Sequence, residues 1–90
     1  MNNKKFDNTR LIGKSLHPVV LNVRFYPDSD DDELTIYDSN IGPVYDEDIA
    51  NLNKANPYVD FGDKGYFCEK GLYAFLPRGG TFRVVWKDNY

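Results

Sequence analysis

Ninety residues, 41% apolar and 16% aromatic, supply enough hydrophobic side chains for one core and leave little room for a second domain. The single cysteine, Cys68, excludes an internal disulfide and a cysteine-based zinc site, and a lone thiol fits a reducing, cytoplasmic setting. The net charge of −3 conceals a segregated pattern: residues 27–63 hold eleven of the fourteen carboxylates but only one basic residue, Lys54, and both flanking segments are basic.

Residues 1–9 read as a polar lead-in, and Lys4 and Lys5 are not followed by the apolar stretch of a secretory signal. Leu11-Ile12 reads as a brief edge segment stopped by Gly13. The longest apolar-rich run, Pro18 to Tyr26, is far below the roughly 20 residues that span a bilayer. Within it Val19, Leu21, Val23 and Phe25 alternate with Val20, Asn22, Arg24 and Tyr26, the period of a half-buried strand. Leu34 to Tyr37 resumes the alternation, which predicts an N-terminal β-hairpin whose connection, Pro27 to Asp32, is nearly all acid.

Asp38 to Pro43 carries turn residues. Asp46-Glu47-Asp48, followed by Ile49 and Leu52 three apart, predicts one short helix to about Asn53. Acids complement the positive end of such a helix, and Asn56-Pro57 stops it. After a loop anchored by Val59 and Phe61, three segments predict a C-terminal antiparallel meander: Tyr66 to Glu69, Leu72 to Leu76 and Thr81 to Lys87. Pairing Leu76 with Phe82, Ala74 with Val84 and Leu72 with Trp86 leaves Tyr73, Phe75 and Val85 on the other face, beside Arg83 and Lys87. The expected fold is therefore α+β, mostly β, one domain over residues 1–90, curled into a small barrel or sandwich.

Catalytic chemistry finds no support in the pattern. His17 is the only histidine, Cys68 lies in a strand segment without a nucleophile signature, and Gly79-Gly80 lacks the lysine and helix of a phosphate loop. Asp28, Asp30 and Asp32 alternate like the first ligands of a calcium loop. Position six is Glu33 instead of glycine, however, and position twelve is Ser39 instead of glutamate. No enzyme activity, metal or cofactor is expected.

The acids read instead as a surface field. The leading expectation is a small non-enzymatic binding or inhibitor protein, of the kind that compact viral genomes encode. It would dock Asp28, Asp30, Asp31, Asp32, Glu33, Asp46, Glu47 and Asp48 on a basic protein partner. Such a partner is a nucleic-acid-processing protein whose arginines and lysines accept carboxylates in place of phosphates. The plain alternative is that acidic loops keep an aromatic-rich domain soluble. A second expectation is a structural subunit or homo-oligomer that buries an aromatic sheet face of Tyr73 and Phe75, with Arg83 beside them. A third is a small β module binding nucleic acid through Tyr73, Phe75, Arg83 and Lys87. The acidic middle opposes direct nucleic-acid binding unless it turns away from those residues.

Overall fold

In a computed structural model, which describes residues 1–13 and 17–88, the chain is built of β1 (Asn2–Phe6), β2 (Arg10–Ile12), β3 (Val19–Tyr26), β4 (Glu33–Asp38), β5 (Asp48–Asn53), β6 (Tyr58–Asp60), β7 (Tyr66–Phe67), β8 (Leu72–Phe75) and β9 (Thr81–Lys87). No helix occurs among the described residues, so none there is long and apolar enough to cross a membrane. One sheet has the order β1-β9-β3-β6, with β7 pairing the start of β3 beyond β6. The other has the order β2-β8-β4-β5, and every pairing in both is antiparallel.

The sheets pack face to face. Val20, Val23, Phe25, Phe82, Val84 and Trp86 of the first sheet share one buried cluster with Ile12, Leu34, Ile36, Leu52, Leu72 and Ala74 of the second. The result is a β-sandwich whose inner faces supply the core, the sandwich form of the expected small β domain.

Five expectations are corrected. The short helix over residues 46–53 is β5, where Leu52 lies opposite Leu34 and Ala50 opposite Ile36. A two-turn helix has little stability of its own, and pairing with β4 satisfies both backbone and apolar face. The spacing of Ile49 and Leu52 comes from a register shift at Ile36/Tyr37, not from a helical stripe. A second shift, at Val20/Asn22, turns Val20 into the core opposite Trp86 and leaves Val19 half-exposed, so strict alternation fails at the start of β3.

The N-terminal hairpin does not form either, because β3 and β4 lie in different sheets. Residues 27–32 arch over the end of the sandwich. The meander fails for the same reason: β8 and β9 belong to opposite sheets, and the 76–80 connection is a second arch beside the first. Leu72, Ala74, Leu76, Phe82, Val84 and Trp86 are all buried as the alternation requires, but they meet across the core instead of along a shared ladder.

The two arches are stitched together. The buried Asp32 carboxylate accepts the N–H groups of Asp28 (2.8 Å), Ser29 (2.9 Å) and Gly79 (3.3 Å), and Asp28 Oδ2 accepts that of Gly80 (3.0 Å). Gly80 sits at φ +102°, where a Cβ would fall 2.8 Å from the Tyr26 carbonyl oxygen and 2.9 Å from Phe25 Cε1. Only glycine fits there without displacement.

Finally, residues 2–6 are no lead-in. β1 pairs with β9 along its whole length, from Asn2 opposite Trp86 to Phe6 opposite Phe82. The hydroxyl of Thr9 then accepts the Leu76 N–H (2.7 Å) and donates to the Leu76 carbonyl (3.1 Å), which fixes the crossing from β1 to β2.

Candidate functional site

The eight expected acidic contact residues fall into two groups at opposite ends of the β4–β5 pair. Glu33 lies opposite Asn53 at one end and Tyr37 opposite Asp48 at the other. At about 3.4 Å per residue, that separates the groups by more than 10 Å. Two members are committed to the fold, since Asp32 and Asp28 hold the arches. Hydrogen bonds from Ser29 above all, and from Asp28 and Gly79, keep the Asp32 carboxyl below the ordinary carboxylate range against an opposing desolvation effect.

Asp30, Asp31 and Glu33 remain exposed around a cleft of about 570 Å³ that is also lined by Asn51, Asn53, Lys54 and Arg78. That cleft is partly self-neutralised: Lys54 Nζ reaches Asp30 Oδ1 (2.5 Å), and Arg78 donates to the Asp31 carbonyl (3.0 Å). In the second group, Asp46 and Asp48 are exposed. Glu47 is paired with Lys70 (2.7 Å), and that pairing raises the Lys70 ammonium above its ordinary value.

The expected aromatic interface is also divided. Tyr73 and Phe75 stand on the outer face of the four-stranded sheet, opposite Tyr37 and Thr35. Arg83 stands on the outer face of the five-stranded sheet. The two parts lie on opposite sides of the sandwich because β8 and β9 do.

A different surface comes together around Arg83. Lys5 on β1, Arg83 on β9 and Arg24 on β3 occupy directly opposed positions on three adjacent strands, and Tyr58 on β6 continues the row. Neighbouring rows on this face carry Lys87 and Thr81 of β9, Tyr26 of β3 and Asp60 of β6. Lys5 Nζ lies 4.9 Å from the centre of the Tyr26 ring, and the Arg24 guanidinium lies 4.4 Å from that of Tyr58. Arg83 donates to Asn3 Oδ1 (3.0 Å).

Among the described residues, none of Lys5, Arg24, Arg83 and Lys87 forms an ion pair; the two salt bridges, of Lys54 and Lys70, lie elsewhere. Asp60 is the one carboxylate in these rows, and its oxygens accept the Gly62 N–H (2.7 Å) and the Tyr58 hydroxyl (3.3 Å). Like charges placed directly opposite across a ladder destabilise a sheet.

The residues with catalytic potential sit in unreactive settings. Cys68 is fully buried, and desolvation, aided by the negative charge of Asp38, pushes its thiol up to about 12. Asp38 itself is buried and accepts the N–H groups of Lys70 (2.8 Å), Glu69 (3.1 Å) and Gly71 (3.3 Å), so it organises the loop before β8. His17 stacks on Phe67 with ring centres 5.3 Å apart, and its buried Nδ1 has no hydrogen-bond partner to orient it as a base. Among the described residues, no group of His, Cys, Asp and Glu is placed to hold a metal ion.

Neither Lys5 nor Arg24 was among the expected contacts. The available signal was that the basic flanks of the sequence contribute edge strand β1 and central strands β9 and β3 of one sheet, whereas the acidic middle supplies β4 and β5 of the other and only the short β6 to the first. Comparison with protein-family models, with curated proteins and with solved structures finds no match to this chain.

Proposed function

We propose that the protein is a non-enzymatic binding module whose working surface is the outer face of the five-stranded sheet, presented to a polyanionic partner. The observation that carries this reading is the unpaired row Lys5–Arg83–Arg24, in direct register across three strands. Such a row costs stability in the isolated protein and repays that cost only when an anion bridges it. Affinity for a sulfated polysaccharide tests the charge term alone. The wild-type protein is expected to be retained on heparin at low salt, and Arg24→Ala, Arg83→Ala and Lys5→Ala each to elute earlier. Equal elution of wild type and all three variants overturns the reading.

A second reading keeps the acidic side as the contact for a basic protein partner. It is favoured by the exposed carboxylates of Asp30, Asp31 and Glu33 around one cleft. Long-range attraction would speed that association and make it salt-dependent. The partner would meet these three residues together with Asp46 and Asp48 only if it spanned the length of the β4–β5 pair.

A further inference from the structure

We infer that the polyanion is single-stranded nucleic acid, with phosphates at Lys5, Arg24, Arg83 and Lys87 and bases stacked at Tyr26 and Tyr58; this rests on the reading of the basic face given above. The deciding feature is the kind of residue interleaved with the cations. Tyr26 and Tyr58 are 40% and 41% exposed on the same face, Tyr58 in the row of Arg24 and Tyr26 in a neighbouring row, each with a cation of this face over its ring. Inorganic polyphosphate has no ring to lay on them. A nucleobase does, and it stacks equally on a tyrosine ring or on the guanidinium plane that Arg24 holds over Tyr58.

The geometry also selects against the duplex. A double helix hides its base faces, and its grooves are read by an inserted helix or two-stranded ribbon. This face is the broad outer side of a sheet, with no helix among the described residues to insert. An unstacked strand, by contrast, can lie across a sheet and place successive bases on rings of adjacent strands. The acidic cleft of Asp30, Asp31 and Glu33 is also lined by β5 residues of the other sheet, and Asp60 is the one carboxylate at the paired positions on the outer side of β1, β9, β3 and β6.

The experiment is fluorescence anisotropy with a labelled short oligothymidylate over a range of NaCl, with inorganic polyphosphate, a matched duplex and anionic phosphatidylserine vesicles as competitors. For four cations, the logarithm of affinity is expected to fall with the logarithm of salt at a slope of roughly −2.8, and at about −2.1 for Lys87→Ala. Tyr58→Ala and Tyr26→Ala are expected to weaken binding at least about five-fold with the slope unchanged. Tyr58→Phe, which keeps the ring, is expected to bind as wild type. Both tyrosines are on the surface, and thermal unfolding of each variant checks that the fold is retained.

If polyphosphate displaces the oligonucleotide at equal charge concentration and the tyrosine variants bind normally, the inference fails while the basic face stands. Preferential capture by the duplex or by the vesicles overturns it as well. If neither oligonucleotide nor polyphosphate binds at low salt, both the inference and the reading beneath it fail.

Discussion

Asp32 shows how one side chain can change meaning between sequence and fold. In the sequence it is one of five acids within six positions, 28–33; in the fold it is buried and accepts three backbone N–H groups. Because its carboxyl lies below the ordinary range in the folded state, it contributes stability that is present above about pH 4, the unfolded value, and is lost as pH falls through the folded one. Acid unfolding of Asp32→Asn, followed by circular dichroism, is therefore expected to be less steep in that range than for wild type; an unchanged acid limb contradicts the role. Cys68 has the opposite sign. Its thiol is held protonated to about pH 12 in the fold but ionises near 8.5 when unfolded, so stability falls as pH rises above about 8.5. Cys68→Ala is expected to flatten that alkaline limb in denaturant titrations. In the native wild-type protein, a thiol reagent at pH 8 should react only after unfolding.

At the scale of the strand, the period of two reported which residues face inward and said little about which strand lies alongside. The segments 19–26, 34–37, 66–67, 72–75 and 81–87 are strands as the alternation indicates; the inward residues of 34–37, 72–75 and 81–87 are buried, whereas Tyr66 and Phe67 are exposed. The predicted hairpin and meander failed because an arch between sheets and a turn within one use the same residues: proline, aspartate and glycine at Pro27 to Asp32 and at Pro77 to Gly80. What distinguishes an arch here is its long-range stitching, Asp32 to Gly79 and Asp28 to Gly80, which local sequence does not report. Gly80→Ala tests the arch directly. With φ at +102° and a Cβ forced against the Tyr26 carbonyl, it is expected to destabilise the fold by roughly 1–3 kcal/mol in equilibrium urea unfolding. A variant as stable as wild type would show that the arch relaxes freely. The helix predicted over 46–53 failed for a different reason: six residues of mixed polarity take the structure of the neighbour they pair with, and here that neighbour is β4.

For the whole molecule, the segregation of charge was legible in the sequence and its consequence was not. Residues 5, 24 and 83 become neighbours only through the register of β1, β9 and β3, so the basic row emerges from topology. The acidic middle stands out in the sequence because its charges are contiguous in the chain. Once folded, that contiguity is spent on arch hydrogen bonds, on ion pairs to Lys54 and Lys70, and on two ends of one strand pair. A protein of net charge −3 that carries an unpaired basic face is dipolar, and on the proposed reading that arrangement would orient an anionic partner as it approaches. The most direct measurement is a nuclear magnetic resonance titration of the isotope-labelled protein with a polyanion at low salt. Amide shifts are expected to cluster at Lys5, Arg24, Tyr26, Tyr58, Arg83 and Lys87, across strands distant in sequence but adjacent in the five-stranded sheet, and to disappear as salt is raised. Shifts confined to β4, β5 and the Asp30–Glu33 cleft, or no shifts at all, would contradict the account.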